Sequence, residues 1–410
     1  MEKTVNRKGS SSIFLIMILA GMMAVTFGFI AASQKIAAIS YGDALMSLAG
    51  RSVLSEYDRD LKKDYGIFAF RGQQHEINEE MSRYVNYTLD LNDKVKMTGI
   101  ACDTSEYSLA NTETFQREII EYTKYAIARG YIKDILSSSG SAEHDGAAVD
   151  TEKSDRVLRS QSVKSSLPSG AVAGSGNLLS TVKNAIGEAD QVFRKGSDAY
   201  LMNRYIMSHF KNGSMQDLGR ETFFKYEAEY IIEGEMDDNS NRKSFRNHML
   251  LLRNAVNFAF IYTDPEMRTE LTAAAQLITP GPGGIATQLV LAEAWALAEA
   301  ENDMQLLEHG KKVPIYKTKK TWAVDLDSIV KNKETKYIDT HCSTGFTYEG
   351  YLQIFLFFMD KDTKYGRMMD LMQINIMGTG DSTFLIKEHN AGFRVNSTIN
   401  GRKYSYDQEY

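Results

Sequence analysis

The sequence predicts an α+β chain, mainly α, and three observations carry the prediction. Residues 12–32 form an apolar run without a single charge. Only five prolines interrupt 410 residues, and apolar side chains recur at helical spacing through most of them. From Asp381 to Tyr410 the apolar period switches from helical to alternating. Together they describe one N-terminal transmembrane helix continuing into a long helix of an outer domain, a helical core with short strands, and a C-terminal antiparallel β segment.

At about 1.5 Å per residue, the run over 12–32 spans roughly 31 Å as a helix, matching a hydrocarbon core of about 30 Å. It is longer than the apolar region of a secretory signal, about 7–15 residues. A retained anchor is therefore favoured over a cleaved signal, although Ala31-Ala32-Ser33 would suit a signal peptidase. Lys3, Arg7 and Lys8 precede the run against Glu2 alone, which places residues 1–11 in the cytoplasm as a short arm and the main domain outside the cell. Ala20, Ala24, Gly28 and Ala32 repeat every four residues. That spacing stacks small side chains on one helix face and forms a candidate association face for another helix.

The helix is expected to continue from Ser12 to Lys63, because no proline intervenes and Ile36, Ile39, Leu45, Leu48, Val53, Leu54, Tyr57 and Leu61 fit one face. Gly42 and Gly50 weaken it by about 1 kcal/mol each relative to alanine. Such a stripe must pack against something, since an isolated amphipathic helix is marginal in water.

Residues 65–70 read as a short buried strand, 75–91 as a helix and 94–109 as strand-like around Cys102. Thr114 to Leu136 is an amphipathic helix that completes a first part of the outer domain over 33–136. Residues 137–177, rich in Ser, Gly and Ala with few large apolar side chains, read as a flexible insertion. The main helical part then runs over 178–410. Residues 178–210 are helical, Phe223–Glu233 alternates as a strand, and Asp237–Lys243 is a polar loop. Ser244–Tyr262 is a strongly apolar helix that Thr263-Asp264-Pro265 ends or restarts. Pro280-Gly281-Pro282-Gly283-Gly284 is a break. Ile285–Leu307 is a helix too acidic to span a bilayer, and Gly350–Met377 is one long buried helix. In the tail, Asn390-Ala391-Gly392 and Asn400-Gly401 are the turns between strands.

The formal net charge is −6, and the basic arm masks two further negative charges on the rest of the chain. An acidic outer domain argues against nucleic acid as partner. The two cysteines, Cys102 and Cys342, are either one disulfide or two free thiols, and their sequence separation does not choose between these. Gly281-Pro-Gly-Gly284 lacks the lysine and hydroxyl of a phosphate loop. The seven histidines show no paired helical spacing, and the neighbours His341 and Cys342 read as a surface loop. Glu233, Glu235, Asp237 and Asp238 read as a solvated loop before a calcium site. No Gly-x-Ser-x-Gly elbow occurs. Nothing here predicts an enzyme, a metal or a cofactor.

The N-terminal pattern combines Lys8-Gly9-Ser10, an uncharged span, and a long helix through Ser55-Glu56-Tyr57-Asp58 to Leu61-Lys-Lys-Asp-Tyr-Gly-Ile-Phe68. It resembles the TadE/TadG-like pseudopilins of tight-adherence (Flp-type) pilus loci and, more narrowly, a Gram-positive single-span family of unknown function found near such loci. Glu229-Tyr-Ile-Ile-Glu-Gly234, Leu252-Arg-Asn-Ala-Val-Asn-Phe258, Lys312-Val-Pro-Ile-Tyr316, Tyr348-Glu-Gly-Tyr-Leu352 and Met368-Met-Asp-Leu-Met-Gln373 carry the same likeness. One departure is informative. A prepilin cleaved after Gly9 would usually carry glutamate at its fifth mature position, which here is Phe14. The resemblance implies a membrane-anchored, non-enzymatic component of a pilus or secretion apparatus whose partners are the membrane and other pilin-like helices. The alternative is an extracytoplasmic ligand-binding or sensory module of the cell envelope.

Overall fold

The computed structural model describes residues 8–89, 96–130, 145–188, 194, 196–215, 217–331, 337–340, 342 and 344–410, with side chains from residue 11 onward. In chain order the elements are α1 (Lys8–Leu54), α2 (Arg59–Tyr65), β1 (Phe70–Arg71), α3 (Gln74–Leu89), β2 (Met97–Asp103) and α4 (Thr112–Ala128). Then come α5 (Gln161–Ser166), α6 (Leu178–Ala185), α7 (Asp198–His209), α8 (Glu227–Glu233), α9 (Asp238–Thr263), α10 (Pro265–Ile278) and α11 (Gly284–Glu308). The chain closes with α12 (Leu326–Val330), α13 (Tyr348–Phe358), α14 (Lys361–Thr379), β3 (His389–Asn390), β4 (Gly392–Ile399) and β5 (Arg402–Glu409). The fold is α+β and mainly helical, and it divides into two compact units.

The first unit comprises residues 1–58, 69–108 and 388–410. Its α1 is long and apolar enough to cross a membrane. The helix changes character along its length. Every residue from 11 to 37 is exposed, whereas Gly42, Leu45, Met46, Ala49, Gly50, Val53 and Leu54 are buried at helical spacing. That face packs on Ile77, Met81 and Val85 of α3 and on Phe393 and Val395 of β4. The two glycines that weaken the helix make this packing possible. A Cβ on Gly42 would lie 2.5 Å from the Ile399 side chain, and one on Gly50 would lie 2.4 Å from that of Gln408.

The sheet order is β2-β4-β5, all antiparallel. Along β4, Phe393, Val395, Ser397 and Ile399 point inward, as the period of two requires. The β4–β5 connection is the expected Asn400-Gly401 turn, with both residues at positive φ (46° and 80°). A second, two-stranded sheet pairs β1 with β3.

The second unit comprises residues 59–68 and 109–387. Here α7, α8, α13 and α14 are buried on nearly every side. Helices α9, α10 and α11 pack around Trp295, Ile261, Met267 and Leu271. Asp264 caps α10 through the N–H groups of Glu266 and Met267, with Pro265 in its first turn.

Several expectations are corrected. The N-terminal helix stops at Leu54 rather than Lys63, because Tyr57 bridges to Phe70 and the Asp58 N–H donates to the Ala69 carbonyl at 2.8 Å. The strand expected over 65–70 is reduced to Phe70–Arg71, since α2 runs to Tyr65. Phe223–Glu233 is not a strand: it ends in the helix α8, whose burial on all sides makes alternation uninformative. Asp237–Lys243 is no loop, because Asp237 caps α9 through the Ser240 N–H and the helix starts at Asp238. The helical region expected over 178–210 holds two helices, α6 and α7, and the single helix expected over 350–377 is divided in two where Asp360 caps α14. The stretch expected as a flexible insertion is part of the second unit where it is described: Val149, Ser154, Leu158 and Leu167 are buried, and α5 forms within it. Residues 137–144, the last residues of the helix expected to reach Leu136, and His341 lie outside the described residues.

Candidate functional site

Ala20, Ala24, Gly28 and Ala32 fall on the unpacked part of α1, and a Cβ placed on Gly28 meets nothing within 4 Å. The polar Thr26 in this stretch returns its hydroxyl to the Met22 carbonyl at 2.6 Å, so it leaves no unsatisfied donor on an apolar surface. Cys102 and Cys342 are both free thiols, the second of the two states the sequence left open. Cys102 belongs to the core of the first unit, where burial pushes its thiol up to about 12. Cys342 is half-buried in the second unit, and its Sγ donates to the Thr344 carbonyl.

The chemistry of the second unit gathers around α8. Asp238 accepts from the Lys225 and Tyr226 N–H groups at 3.0 Å, and the Ala228 N–H donates to the Lys211 carbonyl, which satisfies the helix start. Arg367 caps the other end, donating to the carbonyls of Ile231 and Ile232, and also to those of Val172 and Gly174. Glu227 accepts from the Lys211 N–H at 2.8 Å and from Asn375 at 2.6 Å. Glu229 accepts from the Gly213 N–H and the Tyr348 hydroxyl, while its second oxygen has no hydrogen-bond partner among the described residues. Burial pushes its carboxyl up to about 7. Asp370 accepts from the Ser169 N–H and the Tyr230 hydroxyl, and burial raises its carboxyl too.

Beside α8 lies a cavity of about 740 Å³, lined by the 168–178 loop, Phe358, Asp360, Thr363 and Arg367. Ser175 lines it. Its hydroxyl lies 3.5 Å from both ring nitrogens of His248, and His248 Nδ1 is 2.7 Å from the buried Glu233. Equal reach to both nitrogens puts the hydroxyl beside the ring, off the in-line direction that a nucleophile and its base require. The expected acidic loop is thereby dispersed. Glu233 holds His248, Asp237 caps α9, Asp238 caps α8, and no cluster of metal-ligating side chains occurs among the described residues.

A second network lies between α9, α11 and the 312–324 segment. Arg253 donates to Asp303 at 2.9 Å, to the carbonyls of Pro314 and Ile315, to the Tyr351 hydroxyl and to Asn257. Lys317 pairs with Glu299 and lies 2.6 Å from Asp303. Glu299 also accepts from the Ala323 and Val324 N–H groups. All four ionised groups are buried. Sequence reasoning missed them, although one signal was present: Arg253 falls four residues after Met249, and Glu299 four after Trp295, at helical spacing from apolar buried positions.

A family model described as a family of unknown function (DUF5702) matches residues 140–401. The chain belongs to this family. No curated protein and no solved structure matches it. The DUF5702 match takes in the cavity, α8 and both buried networks, and it leaves out α1. It also begins inside the stretch expected as an insertion, consistent with the buried residues found there.

Proposed function

We propose that the chain is a membrane-anchored, non-enzymatic component of a pilus-like secretion or adhesion apparatus, with its N-terminus in the cytoplasm and its folded units outside. The observation that carries this reading is the division of α1, unpacked over 11–37 and buried from Gly42 to Leu54. A helix of this kind is held at one end by lipid or by other helices and carries a folded unit at the other. The basic residues Lys3, Arg7 and Lys8 support the orientation. The Ala20–Ala24–Gly28–Ala32 face is where a pilin-like helix would pack, and the pseudopilin resemblance names the class of partner. Phe14 in place of glutamate argues for an accessory role over that of a major filament subunit. Deleting the gene should reduce piliation, adhesion or export; unchanged values for all three reject the reading.

The cavity of about 740 Å³ favours a second reading, an envelope module that binds a small hydroxylated ligand through Ser175, Asn177, Thr181 and Thr363. Retention of cell-wall saccharides by the detergent-solubilised full chain, lost in Ser175→Trp, would support it over the first.

A further inference from the structure

One buried network of the second unit holds the parts of a condensation reaction. Glu299 and Asp303 stand four residues apart on one face of α11, and Lys317 of the 312–324 segment reaches both. The Lys317 side chain is 1% exposed and those of the two acids are 0%. Trp295, Ala296 and Val324 belong to an apolar cluster around α11, and the Trp322 ring centroid lies 5.9 Å from Lys317 Nζ. An amine and two carboxyl groups are thus held in contact away from bulk water.

The two acids are not equivalent. Asp303 Oδ2 accepts from Arg253 at 2.9 Å and from Asn257 at 3.1 Å, which keeps this carboxylate ionised. Its Oδ1 lies 2.6 Å from Lys317 Nζ, off the hydrogen-bond direction, and makes no hydrogen bond among the described residues. Glu299 pairs with Lys317 through Oε1, and its other donors are neutral. The Val324 N–H donates to Oε2 at 2.8 Å, and the Ala323 N–H reaches both oxygens at 3.0 Å. Burial pushes the Glu299 carboxyl up, against the pull of Lys317. Two backbone N–H groups on Oε2 make the arrangement that stabilises an oxyanion, within the range of about 2.7–3.1 Å that such donors need.

We propose that Lys317 and Glu299 condense into a side-chain amide, a covalent link from the 312–324 segment to α11. The ion pair is the precursor. A proton passes from Lys317 Nζ to Glu299 Oε1, leaving a neutral amine and a neutral acid. The Nζ lone pair forms the Nζ–Cδ bond, and the carbonyl electrons move onto Oε2, held by the Ala323 and Val324 N–H groups. Asp303 Oδ1 takes one proton from Nζ and returns it to the Oε1 hydroxyl. The Cδ–Oε1 bond breaks and one water leaves; nothing is oxidised or reduced. The amide carries neither of the charges whose burial the ion pair must bear, and fixed proximity replaces the activation that free acids and amines need. Its carbonyl oxygen, Oε2, still accepts from Ala323 and Val324, so the segment keeps its fastening. Every group belongs to the second unit, and the chemistry does not depend on α1.

The test is peptide mass spectrometry on the full chain, purified in detergent and digested with trypsin. Residues 269–311, which carry both acids, should remain joined to residues 313–319, with Lys317 uncleaved. Their joined mass should be one water below the sum of the two peptides, and fragmentation should place the link on Glu299. Separate peptides with Lys317 cleaved overturn the proposal, as does a lost water that maps to any other residue, Asp303 included. Lys317→Arg keeps a cation for Glu299 but no amine that can attack, so it should give separate peptides of full mass. A water still missing from residues 269–311 in this variant overturns the proposal. Asp303→Asn removes the proton carrier. Its linked fraction, followed after synthesis is stopped, should grow at least about 10²-fold more slowly than in the parent chain. Closure at the parent rate overturns the step as written.

Discussion

In the first unit, Leu45, Met46, Val53, Ile77, Met81, Val85, Phe393 and Val395 meet with few charged side chains among them. In the second, Arg253, Asp303, Lys317 and Glu299 are buried together, and Glu227, Glu229, Asp370 and Arg367 are buried around α8. The two cores solve different problems. The first joins a helix to a sheet, and burial of complementary apolar faces is enough. The second must hold irregular chain, the 312–324 and 168–174 segments, whose backbone polar groups have little strand pairing beyond the Val313–Phe346 bridge. Arg253, Glu299 and Arg367 serve those groups directly, donating to or accepting from six of their backbone atoms. Ionised side chains in the second core therefore act as fasteners for loops, at the cost of their desolvation.

This contrast predicts where each core breaks. The largest effect should come from Asp303→Ala, which leaves Arg253 and Lys317 buried with Glu299 as the one carboxylate of the network. The expected loss is about 3–5 kcal/mol. Both tryptophans, Trp295 and Trp322, lie in the second unit, so urea unfolding followed by their fluorescence reads it selectively. A loss below about 1 kcal/mol would mean that the network is hydrated and that the contrast between the cores fails.

Met46→Ala in the first unit should cost somewhat less, about 2–4 kcal/mol, through the cavity left at a fully buried site. Cys102 reports on it, since its thiol is alkylated only when that core opens. The variant should speed alkylation of Cys102 at least tenfold under native conditions while leaving the tryptophan transition in place. Movement of both readouts together would show that the two units unfold as one.

The smallest effect concerns acidity. The Glu229 carboxyl, ordinarily near 4.5, is raised by burial to about 7. The native state thus holds its proton more tightly than the unfolded chain. The stabilisation is complete below pH 4.5 and is lost as the pH climbs through 7. His209 works in the opposite direction. Burial lowers it from 6.5 to about 4, so its contribution is lost as the pH falls between those values. Glu229→Gln should therefore remove its share of the loss between pH 4.5 and 7, so that stability at pH 7 relative to pH 4.5 is higher in the variant than in the parent chain, by on the order of 1–3 kcal/mol. An unchanged pH profile would show that Glu229 is solvated.

Much of the first unit was legible in the sequence. The apolar run, the stripe through Leu45 and Val53, the alternation of Phe393 and Val395 and the Asn400-Gly401 turn each carry a period or a turn signal that local chemistry produces. The turn between α10 and α11 was legible only in part: its Pro-Gly break was read, its exposed aliphatics, Leu277 and Ile285 among them, were not. The end of α1 was misread, because nothing local distinguishes a helix that continues from one that yields to strand pairing at Tyr57 and Asp58. In the second unit, α8 hid behind an alternation that full burial makes meaningless, and the 145–177 stretch looked too polar to pack. Its place is secured by contacts such as the Ser169 N–H with Asp370 and the Gly174 carbonyl with Arg367, across more than 190 residues of sequence.

The sequence by itself determined that the chain begins with a helix long and apolar enough for a membrane, that the domain behind it is mainly helical, and that it ends in an antiparallel hairpin. These follow from hydrophobic periodicity, a property of neighbouring residues. Only the tertiary structure decided which of the charges are buried, which segments they fasten, that Cys102 is buried in a core, and which apolar residues remain on the surface. Those outcomes depend on desolvation and on hydrogen-bond partners supplied from distant parts of the chain, and no local pattern records them.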